Sequence, residues 1–167
     1  MPSIRDLGTN WVLDASILWG QRKRDEAIRR SCSDLLRSLR RHSLTSPRII
    51  IKVPEGFYEE VKGARPGRKR GRINWLSVYK SPEKLAEIER KHGGCREASL
   101  LRNQGDWDYV AVALARQEEA GGKILIATRD SHFKEAEEKL QEKEIQLYNP
   151  TDSWEKCNRS AFLTDTK

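Results

Sequence analysis

Apolar residues along this chain follow two patterns: short unbroken runs, and longer stretches in which they recur every three or four positions. Trp11-Val12-Leu13, Ile49 to Val53 and Ile124 to Thr128 are runs of the first kind and predict buried strands, with a shorter one at Ile145 to Leu147. Between the first two, Ile28, Cys32, Leu35, Leu36 and Leu39 recur at helical spacing and turn Arg24, Arg30, Arg37 and Arg41 outward. Ser43 to Pro47 should break that helix. Pro54 suits the first turn of a helix continuing through Phe57, Tyr58 and Val61, which Gly63 should end. Ser81-Pro82-Glu83 signals a further helix start, with His92-Gly93-Gly94 as its stop, and another helical stretch is expected from Cys95 to Asn103. Gly105-Asp106 opens the most apolar helix, Gly121-Gly122 closes it, and a charged helix is predicted from Phe133 to Glu142. Strands alternating with helices imply right-handed crossovers and an α/β fold whose mainly parallel sheet is covered on both faces.

The length of 167 residues suits one domain, able to bury roughly 70% of its unfolded surface without staples. The division expected is a domain over 1–150, carrying a basic insertion at about 62–80, and a C-terminal extension over 151–167 in which Trp154 and Phe162 are candidates to dock. Cys32, Cys95 and Cys157 are odd in number and far apart, so neither a disulfide framework nor a zinc site with CxxC spacing is supported. A reducing, cytoplasmic setting is the expectation, with no membrane partner, since no run approaches the roughly 20 apolar residues of a membrane span. No GxGxxG and no GxxxxGK[ST] is present, which leaves dinucleotide and P-loop binding without support.

Charge changes the picture more than composition does. The net charge is +7, but Gln21 to Arg41 carries +5 and Lys62 to Lys80 carries +7, leaving −5 for the rest. A chain basic in two places and acidic elsewhere is suited to meet a polyanion with those two surfaces, and nucleic acid is the evident one. Arg22, Lys23 and Arg24 in the first stretch and Arg65, Arg68, Lys69, Arg70 and Arg72 in the second are the candidate phosphate contacts, with Trp75 or Tyr79 as a stacking platform for an unpaired base.

The acidic residues sit where an open sheet would gather them. Asp14 ends the first strand run, Asp130 follows the third, Asp106 and Asp108 lie in the first turn of the apolar helix, and Glu60 lies in the helix after Val53. Ligands in open α/β sheets bind outside the carboxyl ends of the strands, and crossover helices begin at that edge. Glu60 is preferred to Glu59 because, at about 100° per residue, it borders the face of Phe57 and Val61 while Glu59 points away. It lies about 9 Å along its helix from Pro54 at 1.5 Å per residue, a span that an extended glutamate leaning toward the N-terminus can reach across. Carboxylates brought together repel unless a cation neutralises them, and hard Mg2+ or Mn2+ suits oxygen ligands. Such an ion serves phosphodiester hydrolysis. For each residue the ordinary alternative is a helix cap, for Asp14, Asp106 and Asp130, or a solvated carboxylate, for Glu60.

The strings Val12-Leu13-Asp14-Ala15-Ser16, Val53-Pro54 followed by Glu60-Val61, Asp108 followed by Ala111, Ala113 and Ala115, and Ile126-Ala127-Thr128-Arg129-Asp130-Ser131-His132-Phe133 resemble the PIN-domain nucleases. In order and spacing they cover the chain from about Trp11 to Leu147. The resemblance implies a three-layer α/β/α sandwich and a Mg2+- or Mn2+-dependent nuclease, most often acting on RNA and leaving 5′-phosphate and 3′-hydroxyl ends. By position it makes Asp14, Glu60, Asp108 and Asp130 the catalytic and metal-binding cluster, Asp106 an additional or substitute ligand, Ser16 and Thr128 polar support, and His132 a structural or supporting residue rather than a general base. Within that family the chain is similar to the VapC-type toxins, which brings an antitoxin protein and a homodimer in as partners. Its length and the basic Lys62 to Lys80 segment depart from them and keep a processing ribonuclease open beside the toxin. A non-catalytic RNA-binding or protein-interaction module and a structure-specific DNA nuclease are the readings from other classes.

Overall fold

Trp11, Val12 and Leu13 are buried, and so are Ile124, Leu125, Ile126 and Ala127. Strands without an exposed side chain belong at the centre of a sheet covered on both faces, and these two runs pair in parallel, Asn10 beside Ile124 through Leu13 beside Ala127. The structure is a computed structural model and describes residues 4–46, 49–62, 75–97 and 104–156. In chain order its elements are α1 (Ile4–Leu7), β1 (Asn10–Leu13), α2 (Ala15–Gly20), α3 (Glu26–Thr45), β2 (Ile50–Val53), α4 (Phe57–Lys62), β3 (Ser77–Val78), α5 (Pro82–Glu97), α6 (Gln104–Ala120), β4 (Ile124–Ala127), α7 (Ser131–Glu135), α8 (Glu137–Glu142) and β5 (Ile145–Tyr148).

The sheet runs β3-β2-β1-β4-β5 with every pairing parallel. Helix α6 packs across β1, β4 and β2 and carries α5 on its back, while α3 packs on β2 beside α1 and α2, so helices enclose the sheet in a three-layer α/β/α sandwich. From β1 the chain moves outward on one side through β2 and β3, then returns to place β4 on the other side. The direction of winding therefore reverses between β1 and β4, which is where open α/β sheets form a crevice at their carboxyl edge.

Several elements differ from the sequence expectation in ways that matter for the site. The basic stretch after β1 is two helices, because Asp25 caps α3 by accepting the Ile28 N–H at 3.2 Å and leaves Gln21 to Asp25 as a turn. Glycine at position 20 lets α2 and α3 touch there: a Cβ at Gly20 would fall 2.3 Å from Cys32 Sγ. Arg24, Arg30, Arg37 and Arg41 face outward. Pro54 precedes α4 instead of opening it, and this moves Glu60 into the first turn of the helix. The Gly93-Gly94 pair does not stop α5, which runs to Glu97. Lys84 and Lys91 of α5 both reach Glu118 of α6 at 2.8 Å and help hold the pair together. Gly121 and Gly122, at φ 74° and 77°, do end α6, as conformations that side-chain-bearing residues resist. The predicted helix from Phe133 to Glu142 starts earlier, at Ser131, and is broken at Ala136.

Two further expectations meet the fold. Tyr79 is 5% exposed and its hydroxyl donates to Glu119, so this ring belongs to the core rather than to a platform for bases, while Trp75 is partly buried against the core. Arg65, Arg68, Lys69, Arg70, Arg72 and Phe162 lie outside the described residues, as does the stretch from 98 to 103 where a helix was expected. Among the described residues no helix is long and apolar enough to cross a membrane.

Candidate metal centre

Asp14 leaves β1 directly above the reversal point and is fully buried. It occupies the N-cap position of α2, yet its side chain makes no capping bond. Its Oδ2 instead accepts from Ser16 Oγ at 2.6 Å and from Thr128 Oγ1 at 2.7 Å. Each hydroxyl oxygen in turn takes a backbone N–H, Ser16 from Arg129 at 2.9 Å and Thr128 from Asp130 at 3.0 Å. With its one proton given to Asp14, each hydroxyl oxygen is left to accept from the backbone, and the two hydroxyl oxygens lie 3.3 Å apart. Buried carboxylates survive only with such donors, and these donors tie the end of β1 to the end of β4.

Asp130 follows β4 and is also fully buried. It does cap its helix: Oδ1 accepts the His132 N–H at 2.9 Å. The same Oδ1 lies 3.3 Å from His132 Nδ1, and Asp106 Oδ2 also lies 3.3 Å from that nitrogen. Asp106 is 1% exposed in the first turn of α6. Among the described residues, Asp106, Asp130 and His132 thus offer two carboxylate oxygens and one imidazole nitrogen, all within 4.8 Å of one another.

The acidic residue of α6 that joins Asp130 is Asp106 rather than Asp108. Two residues apart on a helix means about 200° of rotation, so both cannot face one point. Asp108 is half-buried and lines, with Pro54, Glu55, Glu89 and Ala111, a cleft of about 500 Å³. Glu60 comes to the same edge by another route. Its Oε2 accepts from Tyr109 Oη at 2.8 Å, and that oxygen accepts the Ala15 N–H at 3.3 Å, next to Asp14 in sequence. Glu59 is exposed, as its place on the wheel implies. Tyr109 is itself fixed from behind by Phe133, ring centroids 6.4 Å apart and planes at 80°.

No family model matches this chain, and no match was found among curated proteins or solved structures.

Of the basic candidates within the described residues, Lys23 sits closest to this chemistry, because its Nζ meets Glu155 Oε1 at 2.5 Å and Glu155 is bridged to Asp130. Arg22 lies over the Trp19 ring at 5.7 Å, and Arg24 is exposed. Three contributors were not legible in the sequence. His132 reads from the sequence as a supporting residue, yet its Nδ1 lies 3.3 Å from a carboxylate oxygen of both aspartates. Tyr109 carries no mark in the chain that distinguishes it from a core aromatic. Glu155 lies in a segment read as an extension, and only its distant pairing reveals it.

Proposed function

We propose that this protein is a divalent-metal-dependent endoribonuclease. The observation that carries the reading is the convergence of Asp106, Asp130 and His132 at the carboxyl edge where the winding of the sheet reverses. The resemblance of the strings around Asp14, Glu60, Asp108 and Asp130 to PIN-domain nucleases, and a chain of net charge +7, support the same class of activity and substrate.

The donor set fits such an ion. Two carboxylate oxygens suit Mg2+ or Mn2+, and the imidazole nitrogen favours Mn2+ of the two. The chemistry supplied by a bound ion of this kind is Lewis-acid activation of water and charge neutralisation at a phosphodiester. Asp106, Asp130 and His132 would hold it. Asp14, locked by Ser16 and Thr128, and Glu60, held by Tyr109, are further carboxylates at the same edge of the sheet. The exposed Arg22 and Arg24 add positive charge to the turn after α2, which attracts phosphate and weakens with salt.

The test is cleavage of labelled RNA and of labelled DNA by the full chain, with Mn2+ or with EDTA, for the wild type and Asp130→Asn. The proposal expects RNA cleavage that requires Mn2+ and falls at least about 100-fold in the variant, beyond what loss of an outer partner usually costs. Cleavage of DNA alone would replace the substrate class, and tight RNA binding with equal background cleavage in both proteins would replace the enzyme with a binding module.

A further inference from the structure

We propose that Glu155 is a positioning residue for the metal group, so that the segment beyond Pro150 belongs to the site; this rests on the metal reading above. The main chain of Glu155 brackets Asp130 on both sides. Its N–H donates to Arg129 O and its carbonyl accepts from Ser131 N–H, each at 2.9 Å, which adds a parallel bridge beside Asp130 after the named strand β4 has ended. Asp130 therefore does not sit at a loose strand end. The peptide units before and after it are both held from outside, and a ligand carboxylate gains affinity when its orientation is fixed before binding.

The side chain makes the bracket specific to glutamate. Glu155 Oε2 accepts from Arg129 Nη2 at 2.9 Å and Oε1 from Lys23 Nζ at 2.5 Å. Arg129 is 1% exposed, and a guanidinium buried to that degree needs a counter-charge. Burial pushes the Glu155 carboxyl up, but the hydrogen bonds and charges of Lys23 and Arg129 outweigh it and hold it below the usual range, so it stays ionised at neutral pH. Successive residues after β4 divide the work: Thr128 supports Asp14, Arg129 anchors Glu155 and Asp130 faces the metal group. The approach is also supported, since Asn149 Nδ2 donates to Ser153 O at 2.8 Å and Trp154 lies under Lys134 Nζ at 5.7 Å. Losing the Glu155 carboxylate would release Lys23, leave Arg129 buried without this partner and remove the side-chain anchor of a segment whose main-chain bonds flank Asp130.

The experiment is a Mn2+ titration followed by electron paramagnetic resonance on the full-length wild type, Asp130→Asn, Glu155→Ala and Glu155→Gln, with thermal unfolding of each protein and amide exchange at Ser131. The expected result is Mn2+ uptake by the wild type, loss in Asp130→Asn, affinity lowered about 10- to 100-fold in Glu155→Ala with faster exchange at Ser131, and a smaller loss in Glu155→Gln. Glutamine keeps the size and one acceptor, so it is the variant to read if Glu155→Ala does not fold. Wild-type affinity in Glu155→Gln and in a folded Glu155→Ala would overturn the positioning role and leave the metal site standing. No uptake by the wild type would overturn both.

Discussion

Asp130→Asn is expected to remove divalent-metal binding and metal-dependent cleavage while leaving the apo protein at least as stable as the wild type. Asparagine keeps the shape of the side chain and an Oδ1 that can still accept the His132 N–H, so the cap on α7 survives and no cavity opens. What disappears is one negative charge in a fully buried position facing Asp106, which is 1% exposed. Carboxylates gathered in a poorly solvated place oppose folding when both are ionised, so an amide in place of one should not cost the apo state stability. Under the proposed metal reading the same carboxylate is a ligand, and its loss should exceed the roughly 10- to 100-fold cost of disturbing outer partners. Melting curves in EDTA and in excess Mn2+ separate the two effects. The wild type is expected to gain stability on adding Mn2+, as a protein whose folded state alone binds the ion does, and Asp130→Asn to gain little or none. A variant less stable in EDTA and equally stabilised by Mn2+ would mean that Asp130 is a structural cap alone.

Phe133→Ala should have the largest effect on the fold near the site, about 3–5 kcal/mol. The ring is fully buried, and its edge-to-face contact with Tyr109 adds about 0.5–1.5 kcal/mol beyond the area it covers. Removing it undermines Tyr109, whose hydroxyl joins Glu60 to the start of α2, so a loss of stability and a loosening of the carboxylate edge should appear together. Urea unfolding followed by tryptophan fluorescence gives the size. Phe133→Leu fills most of the volume and should cost well under half as much, whereas equal costs for both would show that the ring contact, not the cavity, dominates.

The sheet could be read from the chain because its central strands are hydrophobic at nearly every position, and because Asp14 and Asp130 follow those strands directly. Such signals are local. Ser77–Val78 escaped notice as a strand because two residues carry no period, and it pairs only by lying alongside Lys52 and Val53. Gly93-Gly94 read as a stop because the glycine cost is intrinsic, while the contacts of α5 with α6 that override it come from a different part of the chain. The choice between Asp106 and Asp108 turns on the rotation of one helix, which the alanine spacing leaves open, since Ala111 stands three residues from Asp108 and Ala113 seven from Asp106. Glu60 looked remote only because Pro54 was counted as the first turn. His132 and Glu155 belong to the site by tertiary placement: the histidine needs α6 and β4 side by side, and the glutamate needs a chain that returns past Asn149 to lie against Asp130.

The central claim is that Asp106, Asp130 and His132 hold a divalent ion at the point where the sheet reverses. A Mn2+ titration of the wild type, Asp106→Asn and Asp108→Asn tests it most directly, because the two aspartates are separated by about 200° of one helix. The expected result is one Mn2+ taken up by the wild type, affinity within about twofold in Asp108→Asn, and a loss of more than about 100-fold in Asp106→Asn. Binding that survives in Asp106→Asn and vanishes in Asp108→Asn, or no uptake by the wild type, would contradict it.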